Sequence, residues 1–143
     1  KRQPLHVDWC GAAPINVQWG EDNRSCGFRV PIADRNNRRV ENRLAGADSN
    51  PYLAIAASLV CGYIGMVERM VPPKAITGSA YNRARTLPRT LEAALDRFSS
   101  CKPVRNLLGE EFFEIFFAVK DHELFNYQSV VSSWEREHLL LRV

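Results

Sequence analysis

Five consecutive residues, Arg39-Val40-Glu41-Asn42-Arg43, carry the densest chemistry in this chain. In an extended strand alternate side chains face opposite ways, so Arg39, Glu41 and Arg43 would share one face, a carboxylate between two guanidinium groups. Such a face can hold a divalent cation on the carboxylate and phosphate or carboxylate oxygens on the arginine forks. Read alone, the triplet describes equally well an exposed ladder whose pairs each contribute well under about 1 kcal/mol. Arg24 and Arg29 change the balance. They are five apart and cannot both lie on one face of a regular strand. Arg24 follows the turn residues Asp22-Asn23 and belongs at a loop–strand junction, with Arg29 inside the strand. Antiparallel neighbours would then bring Arg24, Arg29, Arg39 and Arg43 towards one pocket. Several arginines around one glutamate repel each other, and a polyphosphate with its magnesium ions would relieve that. Phosphoryl-transfer sites have this composition.

The wider composition supports an anionic small molecule rather than nucleic acid. Six of the twenty positions from Arg24 to Arg43 are arginine, against the two acids Asp34 and Glu41, yet the formal net charge of the chain is only +3. A basic face for nucleic acid is usually interleaved with exposed aromatics or lysines, and this window has no lysine and a single aromatic, Phe28. The four cysteines, Cys10, Cys26, Cys61 and Cys101, form no CxxC pair, and with three histidines no zinc spacing appears. Reduced, mostly buried thiols in a cytoplasmic protein are expected. The apolar stretch from Tyr52 to Val67 is shorter than the roughly 20 residues that span a bilayer, so no membrane partner is expected.

The elements that must position these residues fall into two parts. Ile15–Trp19 alternates with period two, Ser25–Ile32 resumes an extended pattern, and Arg38–Leu44 offers a third strand, so the first third reads as an antiparallel meander. Asp48-Ser49-Asn50-Pro51 is a helix start, with a capping side chain followed by proline in the first turn. The helix it opens, to about Arg69, is apolar on nearly every side and predicts burial, with Gly62 and Gly65 packing closely against another element. Lys74–Arg89 reads as an exposed loop. Thr90–Ser99 predicts a short amphipathic helix with Leu91, Ala94, Leu95 and Phe98 on one side, and Val104–Leu108 another turn or two. Glu110 to about Val131 predicts a long helix whose Phe113, Phe116, Phe117, Leu124, Tyr127 and Val131 form a core stripe. The end, Trp134 to Val143, is apolar enough to want burial against a neighbouring subunit. The class is α+β, strands first and packed helices after. The chain begins at Lys1, not Met, within a stretch that reads as structured, and residues 1–143 are expected to be a cut piece of a larger domain.

Four segments in order, Asn23-Arg24-Ser25, Arg29-Val30-Pro31, Arg39-Val40-Glu41-Asn42-Arg43 and Asn50-Pro51-Tyr52-Leu53, resemble the motifs of the glutamine synthetase family, and the resemblance covers nearly the whole chain as the last third of such an enzyme. It implies an ATP-dependent ligase that phosphorylates the side-chain carboxylate of glutamate and lets an amine displace the phosphate, with Mg2+ or Mn2+ as cofactor. Carried over position by position, it implies that Arg24 contacts glutamate and the transferred phosphoryl group. Arg29 would bind nucleotide phosphates with Arg39 beside them, Glu41 would be a metal ligand, and Arg43 would bind glutamate. Lys1-Arg2 is similar to the end of another family segment, which would make Arg2 a glutamate ligand. The full protein would form a homo-oligomeric ring with active sites between subunits.

Two departures stand out. Ala12, before Ala13-Pro14, replaces the flap glutamate of ammonia-using members, which opens the choice of amine between ammonia and a polyamine. Asn36 falls where the family has a nucleotide-binding lysine, with Arg35 a possible substitute. These departures also motivate the alternative of a non-catalytic relative with an assembly or regulatory role. Tyr81 falls where some bacterial members are adenylylated, but its surroundings differ and it reads as an ordinary loop tyrosine. Trp19-Gly20-Glu21-Asp22-Asn23-Arg24 and Trp134-Glu135-Arg136-Glu137 are closest to the branch that includes γ-glutamylputrescine synthetases. The fragment by itself is expected to be inactive, because the family's other acidic ligands and its histidine come from earlier in the chain.

Overall fold

The computed structural model describes residues 13–140. The order is α+β: β1 (Trp19–Glu21), β2 (Phe28–Val30) and β3 (Glu41–Asn42) precede α1 (Pro51–Val67), α2 (Leu91–Ser99), α3 (Lys102–Leu108), α4 (Glu110–Gln128) and α5 (Ser133–His138). The chain divides into two compact units between Leu87 and Pro88.

In the first unit the three strands form one sheet with β2 in the centre. The expected all-antiparallel meander is corrected at its first pairing. β2 and β3 are antiparallel, with Arg29 opposite Glu41, but β1 and β2 are parallel, with Trp19 opposite Phe28 and Glu21 opposite Val30. Six residues make that return because the chain leaves β1 through Asp22 in the left-handed region (φ 48°) and doubles back over the buried Cys26 and Gly27. Gly27 is needed for the close approach. A Cβ there would lie 2.6 Å from the Asn16 carbonyl oxygen and 2.8 Å from Leu44. Strand alternation then separates two environments. Phe28 and Val30 line an apolar cavity of about 520 Å³ with Val17, Trp19, Val40, Pro72 and Pro73, while the intervening Arg29 meets Glu41.

The segment after α1 is not the plain exposed loop its composition suggests. It stitches the sheet: Ile76 N–H donates to Trp19 O (3.0 Å), Trp19 Nε1 to Pro73 O (2.6 Å), and the fully buried Asn16 donates Nδ2 to Ala80 O (2.9 Å). The satisfied Asn16 amide is what makes its burial tolerable.

α1 starts where expected. The Asn50 side chain accepts from Tyr52 N–H and Leu53 N–H, and Pro51 occupies the first turn. Its expected burial is not found: no α1 residue is buried among the described residues, and Tyr52, Leu59 and Met66 are 82%, 69% and 72% exposed. Nor do Gly62 and Gly65 pack closely, since nothing lies within 4 Å of a Cβ at either. An all-round apolar helix needs cover on more than one side, and the described residues supply little.

The second unit is built on aromatics. Phe113 of α4 is 1% exposed and stacks on Phe98 of α2 at 4.1 Å, with Phe116 edge-on to Phe98 at 5.3 Å and the Arg105 guanidinium 4.3 Å over the Phe113 ring. The expected stripe holds at Phe113 and partly at Phe116, Phe117 and Leu124. It fails at Tyr127 and Val131, which are exposed, and α4 ends at Gln128. In α5, Ser132 and Glu135 form a reciprocal capping box; Trp134, Leu139 and Leu140 remain exposed.

Candidate functional site

The central strand places the key cation. Arg29 is half-buried in β2, and its guanidinium bridges two carboxylates, donating through one nitrogen to Glu41 Oε2 at 2.7 Å and through the other to Asp22 Oδ1. The Glu41 contact follows from the register that sets the two residues opposite. The Asp22 contact follows from the turn: Asp22 N–H donates to Val30 O, which holds the start of the turn against the end of β2. Arg39 completes the group with Nε 3.4 Å from Glu41 Oε1. So Glu41 does lie between two guanidinium groups, but the second partner is Arg29 from the neighbouring strand. Only Glu41–Asn42 is strand, and Arg39 approaches from the irregular segment that follows a 3₁₀ turn at Arg35–Asn37.

These contacts fix the protonation states. Hydrogen bonding from Arg29 lowers the Glu41 pKa, and the Arg29 and Arg39 charges add to this against partial desolvation. Arg29 is correspondingly raised, first by the hydrogen bond to Glu41 and then by that to Asp22. Both stay charged at neutral pH. The Arg29 Nε–H is buried and finds no acceptor among the described residues, so one directed donor of a charged group is unused.

Arg24 occupies a different place. It is exposed and lines an open cavity of about 890 Å³ with Glu21, Asp22, Asn23, Ser25, Ile32 and residues 75–79. Asp22 joins the two parts, lining this cavity while pairing with Arg29. Arg43 N–H donates to Gly27 O, and its charge bears on Cys26, whose thiol burial pushes up while a Ser25 hydrogen bond and Arg43 lower it. The expected single pocket of four arginines is therefore a linked series: Arg24 beside Asp22, then Arg29, Glu41 and Arg39, with Arg43 on the Cys26 side. Asn36 and Arg35 are exposed in the 3₁₀ turn that Asp34 caps. Arg2, Ala12 and Cys10 lie outside the described residues. Cys26 is buried, but Cys61 is exposed and Cys101 half-buried, so the expectation of mostly buried thiols fails at Cys61.

A divalent cation is implied by the family resemblance, and the donor set tests that. Among the described residues no three His, Cys, Asp or Glu side chains converge. Glu41, held ionised by its arginines, fits as one ligand of a shared site and not as a complete one. Sequence reasoning placed Asp22 and Asn23 in a turn and Asn23 and Ser25 in a motif but gave none of them a contact in the site, and it missed the 75–79 wall. The available signal was Asx chemistry, since Asn23 in the Asp22-Asn23-Arg24-Ser25 turn favours a side-chain-to-backbone bond two residues on, to Ser25 N–H.

Comparison with known proteins is specific. Residues 10–139 match the family model described as glutamine synthetase, catalytic domain. The chain is 37% identical over 133 residues to a glutamate–isopropylamine ligase from a Pseudomonas species, covering 90% of this chain and 28% of that protein. It is 33% identical over 128 residues to the γ-glutamylputrescine synthetase PuuA of Escherichia coli K12, covering 89% of this chain and 27% of that one. A solved GmaS–ADP complex superposes with a TM-score of 0.81 at 29% identity, over 98% of this chain and 33% of that chain. The chain thus spans about a third or less of the length of these relatives.

Proposed function

The chain belongs to the glutamine synthetase family through its catalytic domain, and from that premise we propose that the polypeptide carrying it is an ATP-dependent glutamate–amine ligase. The observation that carries this reading is the Arg29–Glu41–Arg39 group, a carboxylate held ionised at neutral pH between guanidinium groups, with an Arg29 donor that finds no acceptor among the described residues. In the proposed reaction a glutamate side-chain oxygen attacks the γ-phosphorus of ATP, and ADP leaves. The amine nitrogen then attacks the acyl carbon of the γ-glutamyl phosphate. Phosphate departs with the C–O bonding pair, and the nitrogen loses a proton to leave a γ-glutamyl amide.

Arg29, with Arg39 beside it, binds the nucleotide phosphates; Arg24 contacts the transferred phosphoryl group and glutamate; Arg43 and Arg2 hold glutamate. Fixed guanidinium groups stabilise the charge that develops on phosphoryl transfer without reorganising. Glu41 would hold Mg2+ or Mn2+, which when bound neutralises phosphate charge. Two of the relatives described act, by their names, on isopropylamine and putrescine, which favours an alkyl amine as the second substrate here. The full protein is proposed to work as a homo-oligomeric ring. The test is ADP release by the full-length polypeptide with glutamate, Mg2+ and a panel of ammonium, isopropylamine, putrescine and ethanolamine. Release that depends on glutamate and on one amine supports the reading; none with any amine overturns it.

A further inference from the structure

Arg24 sits between two residues for which the proposed chemistry has no role, and those two residues close a hydrogen-bond circuit with a distant loop. The Asn23 amide donates Nδ2 to Gly78 O at 2.7 Å, and Ala80 N–H donates to Ser25 Oγ at 2.8 Å. The Ser25 hydroxyl in turn donates to Asn23 Oδ1 at 2.7 Å, an oxygen that also accepts from Ser25 N–H at 3.1 Å. The partners are 55 residues away in sequence. They are anchored themselves, through Ile76 to Trp19, Pro73 to the Trp19 indole and Ala80 to the buried Asn16. Gly20 lets the loop lie that close, since a Cβ there would come within 2.9 Å of Ile76 O.

The two arginines of the site are therefore held in different ways. Arg29 is oriented by its own guanidinium, through Asp22 and Glu41. Arg24 shows no such ion pair among the described residues, and its flanking backbone is what the structure fixes. A guanidinium that must meet a transferred phosphoryl group depends on placement, and a misplacement of about 1 Å costs on the order of a hundredfold in rate. We propose that Asn23 and Ser25 are positioning residues that set Arg24 through the loop at residues 75–80, so that the loop backbone is part of the frame of the anion site. The proposal rests on the ligase reading only for the identity of the anion.

The test is a double-mutant cycle in the full-length polypeptide with two separate readouts, affinity for inorganic phosphate by calorimetry and kcat/KM for glutamate-dependent ADP release. Ser25→Ala is expected to weaken phosphate binding on the order of tenfold, Ser25→Thr to restore most of it, and Ser25→Ala to change it less than about twofold in an Arg24→Ala background. Exchange of the Ala80 amide should quicken in Ser25→Ala while the melting temperature stays close to that of the parent. An equal loss in both backgrounds, no loss at all, or no phosphate binding by the parent chain would each overturn the positioning role. Turnover with an additive cycle sinks the positioning role and keeps the ligase reading. A non-additive phosphate cycle without turnover does the reverse.

Discussion

Glu41 owes its state to its neighbours, and that has a pH signature. An unfolded glutamate titrates near 4.5, and Arg29 and Arg39 hold the folded one lower. The stabilisation from this carboxylate is therefore complete above the unfolded value and is lost as pH falls through the lowered one. The stability gap between the parent and Glu41→Gln, measured by denaturant midpoints, should be constant near neutrality and shrink below about pH 4.5. A gap that does not change would contradict the pairing. Arg29→Lys keeps the charge but loses the fork that reaches Asp22 and Glu41 together. It should weaken ATP binding by the full-length protein on the order of tenfold or more, read by calorimetry. At this scale the sequence was informative about identity and less so about geometry. Arg24, Arg29, Arg39 and Glu41 were singled out by type and spacing. Which guanidinium meets which carboxylate depended on a cross-strand register and a left-handed Asp22 that periodicity cannot reveal.

Among elements, the tight return from β1 to β2 is the one most exposed to substitution. Gly27→Ala places a methyl group 2.6 Å from backbone oxygen, an obstacle that cannot rotate away. It should destabilise the first unit by about 1–3 kcal/mol or more, seen as a lowered urea midpoint with little change in helical signal. In the second unit Phe113→Ala removes the ring that Phe98 and Arg105 cover, and should cost about 3–5 kcal/mol there. Helices were the legible part. The Asn50-Pro51 capping sequence placed the start of α1 locally, and apolar spacing placed α2 and the start of α4. Strands were read too long. Ile15–Trp19 and Arg38–Leu44 carry the alternation, but only short pieces pair, because ladder bonds need a partner that local pattern does not specify.

For the molecule as a whole, the exposed α1 and a cation site left incomplete among the described residues lead to the same expectation. The 143-residue polypeptide expressed by itself should show no ATP-dependent ligase turnover, and any measurable glutamate-dependent ADP release from it would refute this. What the sequence conveyed at this scale was family and class, through four ordered motifs. Burial of α1 was misjudged because apolarity reports a need for cover without saying what supplies it. The stitching of the sheet by residues 73–86 has a consequence during synthesis. Asn16 and Val17 bond to groups 64 to 69 residues downstream, with the whole of α1 between. A ribosome that has delivered the chain only through α1 has released strands whose fastening has yet to be translated. Nascent chains stalled near residue 70 should be cut readily by protease around β1. Those stalled well beyond Thr86, with that residue clear of the exit tunnel, should resist. The maturation of the site is thus set by the arrival of a loop, well after its arginines have emerged.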